Sequence, residues 1–246
     1  MDLDSSGVPS QGRGRSPQAD LKANHLRFLS SVSHNLRTPL TAVLGFAELL
    51  GSDTWAMSEK ERAEYAATIA NQAAVMSDVL ENLLVSAQTE MGILSVVSVP
   101  VNLGAQLAQV IERVRTDMRC ALRVDGTAAA LGDPERVRQI IRNLLLNAEL
   151  RGGPNILIRL SDHDDPALLT VIANGSDTPI SARQRALDSE TVGRAEDEID
   201  PLELGLSVSR QLARLMHGDL DWRRMSGRSV FTLSLPALRG PANDGG

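Results

Sequence analysis

Apolar residues recur at three- and four-residue steps from about Asp20 to about Gly92, the period of a helix that buries one stripe. The first run carries Leu21, Phe28, Leu29 and Val32, then Leu36, Leu40, Val43, Leu44, Ala47 and Leu50. Gly51-Ser52-Asp53 breaks it. Ser58 follows, with Glu61 three residues on, the pattern of a capping box that opens a helix. A second stripe holds Tyr65, Ile69, Ala73, Met76, Leu80, Leu83 and Leu84. Two long amphipathic helices with a break between them predict a helical hairpin. Neither helix can bury its stripe alone, so two copies closing into a four-helix bundle, a homodimer, is the expected solution. A generic coiled coil would show the same stripe.

From Val96 onward the period changes. Val96–Pro100, Ala121–Val124, Asn155–Leu160, Leu168–Ile172 and Ser229–Leu235 read as strands. Leu103–Arg119, Asp133–Leu150 and Glu203–Met216 read as helices. Helices interleaved with a mixed sheet predict an α/β sandwich. Residues 1–19 are turn-rich and polar and are expected to be disordered, as is the tail 239–246. The expected organisation is a helical-hairpin dimerisation domain over 20–92 followed by an α/β sandwich over 96–238.

Composition narrows the function. Aliphatic residues must build the core, because aromatic residues are only 2% of a chain that is 42% hydrophobic. A net charge of −6 argues against a general nucleic-acid binder, and the Arg223-Arg224 pair reads as solvated surface. Cys120 is the only cysteine, so no intrachain disulfide forms, as suits a reducing cytoplasm. No apolar run approaches the ~18 residues needed to span a bilayer. The Ser/Gly/Pro/Arg-rich start lacks the apolar segment of a secretory signal. The expectation is a cytoplasmic chain with no membrane span.

One histidine has an unusual setting. Ser33-His34-Asn35-Leu36-Arg37-Thr38-Pro39-Leu40 places it on the first helix, with a proline five residues on. Pro39 cannot donate to the carbonyl of Asn35, so the helix is expected to kink there. Thr38 lies four residues after His34, on the same face. His25, His163 and His217 have no such context and read as surface residues. The string resembles the phosphoacceptor box of sensor histidine kinases, with Asn35 where most of that family carries Glu or Asp. The resemblance implies that His34 is the phosphorylated nucleophile, which needs a neutral imidazole with one nitrogen free. Asn35 can accept a hydrogen bond but carries no charge. Acid–base help is worth typically ~100- to 10,000-fold, so phosphorylation of His34 is expected to be slowed. It further implies that Thr38 can hold the water that dephosphorylates a partner.

A second string, Asp133-Pro134-Glu135-Arg136-Val137-Arg138-Gln139-Ile140-Ile141-Arg142-Asn143-Leu144-Leu145-Leu146-Asn147-Ala148, is similar to the N box of the family's ATP-binding domain. Asn143 and Asn147 fall four apart, on one helix face. The resemblance implies that Asn147 gives an oxygen to Mg²⁺, a hard cation. Hydrolytic relatives carry Glu at the place of Asn143, so any bound ATP would serve transfer rather than hydrolysis.

The remaining boxes depart from the family. A phosphate-meeting Lys or Arg is expected at position 150, where this chain has Leu150, with Arg151 displaced by roughly 100° around the helix. In Val171-Ile172-Ala173-Asn174-Gly175-Ser176-Asp177, Ala173 stands where the adenine-binding Asp is expected. That loss leaves the adenine amine unpaired, at a cost of ~1–3 kcal/mol. In Pro201-Leu202-Glu203-Leu204-Gly205-Leu206 two glycines are gone, Pro201 lacks an amide donor and Glu203 brings negative charge toward a polyanion. The implied cofactor-binding residues are Asn143, Asn147, Arg151, Asn174, Gly175 and Gly205; His34, Asn35, Arg37 and Thr38 carry the chemistry. ATP with Mg²⁺ is the implied cofactor if the site functions, and no cofactor otherwise. The implied partners are a second copy and a response-regulator receiver domain, with a separate sensor protein or kinase as a further candidate.

Three readings compete. One is an active ATP-dependent protein-histidine kinase. Another moves phosphoryl groups through His34, to or from a regulator aspartate, with weakened or lost ATP use. The third is a dimeric interaction module without chemistry. Asn35, Leu150, Ala173, Pro201 and Glu203 count against the first; His34, Arg37, Thr38 and Pro39 count against the third.

Overall fold

The structure is a computed structural model that describes residues 17–52, 57–114, 121–152, 155–162, 166–174 and 201–238. Two long helices come first, α1 (Pro17–Gly51) and α2 (Glu59–Glu90). Pro17, in the stretch expected to be disordered, opens α1, a position whose preset φ and missing N–H suit proline. α1 also runs through Pro39 as one helix. Ser58 caps α2 as the spacing predicts. Its hydroxyl accepts from the Glu61 amide, and the Glu61 carboxylate accepts from the Ser58 amide. The two helices pack side by side, pinned near the turn by Phe46 on Tyr65, ring centroids 5.2 Å apart.

Each predicted stripe divides in two. Leu36, Val43 and Leu50 of α1 and Ile69, Met76 and Leu83 of α2 are partly covered. Leu40, Leu44, Leu80 and Leu84 stay 43%, 54%, 51% and 58% exposed in the single chain. No helix among the described residues is long and apolar enough to cross a membrane.

The second part has β1 (Val99–Asn102), α3 (Leu103–Val114), β2 (Ala121–Asp125), β3 (Ala129–Gly132), α4 (Pro134–Gly152), β4 (Asn155–Ser161), β5 (Ala167–Asn174), α5 (Pro201–Leu215), β6 (Asp219–Met225) and β7 (Arg228–Leu235). Five strands form one sheet in the order β2-β4-β5-β7-β6. Only the β2–β4 pair is parallel, and its crossover contains α4, as a parallel pair requires. Helices cover one face of the sheet. Ile156, Ile158, Leu169, Val171, Phe231, Leu233 and Leu235 meet Ile140, Ile141, Leu144, Leu145, Leu206 and Leu212 in one core. The predicted sandwich is present.

Three details differ from the sequence reading. The strand expected at Val96–Pro100 starts at Val99 and ends at Asn102. It pairs with β3 in a separate two-stranded sheet, where Pro100 is tolerated because small edges leave N–H positions unneeded. β3 itself, Ala129–Gly132, was hidden because alanine favours helices; pairing overrides the propensity. β6 was unexpected too, although Leu220 and Trp222 alternate with polar residues and are buried.

Candidate functional site: the acceptor helix and the cleft between two sandwich helices

Ser33–Leu40 lies on the second half of α1. Arg37 and Thr38 are exposed, Asn35 is half-buried and Pro39 is buried. The side chain of His34 lies outside the described residues, and its backbone continues the helix. Thr41 Oγ1 donates to the Arg37 carbonyl at 2.8 Å, a hydroxyl bond onto the preceding turn. The acceptor string therefore sits within one helix, with Ser33, Arg37 and Thr38 exposed.

α4 carries the asparagine pair into the centre of the sandwich. Asp133 starts it: its Oδ1 accepts from the amides of Glu135 and Arg136, at 2.9 and 3.4 Å. Pro134 follows as the first helical residue. The helix is buried almost all round, as expected of a central helix. Asn143 and Asn147 are both buried on it. Asn143 is fully engaged by the protein. Its Nδ2 lies 3.1 Å from the Gly205 carbonyl, 3.1 Å from Ser209 Oγ and 3.2 Å from Asn82 Oδ1. Its Oδ1 accepts from Asn82 Nδ2 at 3.4 Å. Gln139 Nε2 also donates to Asn82 Oδ1, at 3.2 Å.

Asn147 is different. Its Nδ2 reaches the Leu202 carbonyl at 3.5 Å, but its Oδ1 is buried with no hydrogen-bond partner among the described residues. An orphaned buried oxygen is costly and is the donor type a hard cation takes. Asn147 fits the magnesium role that the resemblance implies.

Among the described residues, the space that these helices leave is small. The space between α2, α4 and α5 measures about 30 Å³ and is lined by Val75, Asp78, Val79, Asn82, Asn143, Leu146, Leu202 and Gly205. A ligand pocket is typically ~300–1,000 Å³. A methyl group at Gly205 would stand 3.3 Å from Asn143 Cγ and Oδ1 and 3.5 Å from Asn82 Nδ2. Gly205 therefore serves a three-helix close approach. Pro201 is the first residue of α5, and Glu203 lies in its first turn. Proline fits that position, and a carboxylate there meets the positive helix end. Both residues that stand where the resemblance expects glycines suit the start of a helix.

Ala173 is buried at the end of β5, and Asn174 is exposed. Gly175 and the side chain of Arg151 lie outside the described residues, and Leu150 is exposed. The structure thus brings Asn143, Asn147 and Gly205 together, and leaves Asn174 at a strand end. Sequence reasoning missed Asn82, Gln139, Ser209, Asp78 and Arg142. The available signal was a polar Asn82 between apolar neighbours in the α2 stripe.

Arg142 completes the contact from α4 to α2. Its Nε is 3.0 Å from Asp78 Oδ1, and its Nη2 is 2.5 Å from Glu81 Oε2. Burial pushes the Asp78 carboxyl up from its ordinary value, Arg142 pulls it down and Glu81 pushes it up, with a net rise. Desolvation wins over the ion pair at this position.

Known proteins agree with this architecture. A family model described as the His Kinase A (phospho-acceptor) domain matches residues 24–92. One described as histidine kinase-, DNA gyrase B-, and HSP90-like ATPase matches residues 132–239. The chain is similar to the probable sensor histidine kinase TcrY of Mycobacterium tuberculosis, 25% identical over 221 residues, covering 85% of this chain and 45% of that protein. It is 30% identical over 230 residues to the circadian input-output histidine kinase CikA of Synechococcus elongatus, covering 85% of this chain and 29% of that protein. The chain spans less than half the length of these curated relatives. The Acinetobacter baumannii histidine kinase AdeS shares the fold, with a TM-score of 0.60 and 18% identity over 84% of this chain and 98% of that one. A bacterial phosphotransferase shares it at a TM-score of 0.50 and 17% identity, over 89% of this chain and 98% of that one. With both domain types matched in order on a hairpin followed by a sandwich, the chain belongs to the histidine kinase family of two-component signalling.

Proposed function

We propose that this protein passes phosphoryl groups through His34, to or from the aspartate of a response-regulator receiver domain, with weakened or lost use of ATP. The observation that carries the reading is Asn143, whose amide is bound to Asn82, Gly205 and Ser209 in a cleft of about 30 Å³. The acceptor string His34, Arg37, Thr38 and Pro39 is meanwhile intact on α1. In the transfer from an aspartyl phosphate, an imidazole nitrogen lone pair forms the N–P bond. The acyl O–P bond breaks, and the electron pair leaves with the carboxylate. Only a neutral ring can do this. Asn35 brings no charge to assist the ring, so the step is slow. The bacterial phosphotransferase that shares the fold over nearly the full length of both chains is consistent with this reading.

A second reading, an active ATP-dependent kinase, draws on the unpartnered Oδ1 of Asn147, an oxygen set for Mg²⁺. One experiment separates the two. The full chain is incubated either with a phosphorylated receiver domain or with radiolabelled ATP and Mg²⁺. We expect label from the receiver only, acid-labile and absent in His34→Gln. Asn35→Glu should speed it by tenfold or more, toward the range of ~100-fold that acid–base help gives. Labelling from ATP alone would establish the kinase reading. No label from either donor would leave an interaction module.

A further inference from the structure

The contact between α2 and the sandwich is built from more than chance touching. Val75, Asp78, Val79, Asn82, Val85 and Ser86 recur at helical spacing on one side of α2. Val79, Asn82, Val85 and Ser86 are buried. Leu80 and Leu84 point to a different side and stay exposed, so α2 has two apolar-containing faces with separate duties. At the centre of the first face, Asn82 uses both ends of its amide: Oδ1 accepts from Gln139 and Asn143, and Nδ2 donates to Asn143. Asp78 and Glu81 flank it and hold Arg142. The side chain that α2 occupies, Asn143, is one of the pair that the family places against nucleotide.

We propose that α2 of the same chain is a competing occupant of the α4/α5 cleft, so that docking of the hairpin on the sandwich and binding of a nucleotide exclude each other. The inference rests on reading that cleft as the ancestral nucleotide site. Asn82 and Arg142 are the positioning residues of the docked state. Three features make the competition direct. Asn143 has no amide hydrogen left to offer a second partner once Asn82 and the α5 acceptors are served. Gly205 leaves only tight room for an added atom on its α4 side, 3.3 Å from Asn143 Oδ1. The cavity that the described residues leave there is about 30 Å³, space for about one or two waters. Ligands that exclude each other are coupled reciprocally: whatever factor α2 docking takes from nucleotide affinity, nucleotide takes from docking.

The test uses the full chain, hydrogen exchange of the 75–86 segment, and a fluorescent ATP analogue with Mg²⁺. Asn82→Ala removes the amide link. Arg142→Glu places a third carboxylate beside Asp78 and Glu81. Both should speed exchange in 75–86 while the 229–235 strand stays protected, which shows that the sandwich is still folded. Both should also tighten analogue binding by at least about fivefold, the lower end of ordinary coupling. Lys60→Ala, at the exposed start of α2, should change neither. In the unmodified chain, enough analogue to occupy the site should itself speed exchange in 75–86. The proposal is overturned if 75–86 opens in both variants and affinity does not change. It is equally overturned if neither variant opens the segment, or if the analogue binds the unmodified chain while 75–86 stays protected. Failure of the phosphotransfer reading would show elsewhere, as missing label on His34 from a phosphorylated receiver.

Discussion

A carboxylate that loses more by burial than it gains from its arginine should be replaceable. Asp78 is such a group: burial raises its pKa, and the nearby Arg142 does not restore it. Between its ordinary and its raised value the folded chain holds a proton that the unfolded chain has released. Unfolding free energy therefore falls as pH rises through that window. The contribution is fully present below the ordinary value and lost above the raised one. Asn is a near-isostere of the protonated form, so Asp78→Asn should match the parent near about pH 3 and be the more stable near about pH 7. Denaturant midpoints across that range measure it. A less stable variant at neutral pH would mean that the ion pair with Arg142 outweighs desolvation. Removing Arg142 instead leaves Asp78 and Glu81 facing each other, and Arg142→Ala should cost about 2 kcal/mol, between exposed and buried pairs. Asp219 runs the other way. Burial raises it, but hydrogen bonds from Arg210 and the Leu220 amide, with the charges of Arg210 and Arg214, bring it below its ordinary value. Its stabilisation is present at neutral pH and is lost as pH falls through the lowered value.

At the scale of elements, close approach decides what α5 can be. Gly205 lets α5 touch α4 and α2 at once. Gly205→Ala should destabilise the fold by ~1–3 kcal/mol, the usual cost of over-packing, and should speed exchange in 75–86. A thermally neutral Gly205→Ala would show that the cleft can widen. The same elements show what the sequence made legible. The hairpin and its capping box were readable because their periodicity and Ser58–Glu61 spacing are local signals. α4 and β5 were readable for the same reason. β3 was not, because an alanine run carries no strand preference and its pairing with β1 is non-local. The asparagine pair of α4 was legible as a motif. Its engagement by Asn82 was not, since the two residues are 61 positions apart. Pro201 and Glu203 were legible as departures from the family pattern; that they make a good helix start appears only with the α5 boundary in place.

For the whole molecule, the question is what covers the open half of the hairpin. Leu40, Leu44, Leu80 and Leu84 remain between 43% and 58% exposed, while the other half of each stripe is partly covered. Burying the exposed part of a leucine is worth roughly 1 kcal/mol, and two copies would each contribute the set. A second hairpin presents the same pattern with the same spacing, so a two-fold bundle lets every leucine meet another. The sandwich cannot provide this cover, because it already sits on the Val79–Asn82 side of α2. Leu44→Glu combined with Leu84→Glu should therefore split the molecule at the hairpin alone. By light scattering the parent chain should have twice the chain mass and the variant the single mass. Exchange protection of the β5–β7 pair should be unchanged, since those strands belong to the sandwich and the substituted leucines to the hairpin. A parent chain that is monomeric at concentrations of about 10 μM, or a variant that stays dimeric, would assign these leucines to something other than self-association. It would also remove the four-helix bundle from the account of how His34 is presented.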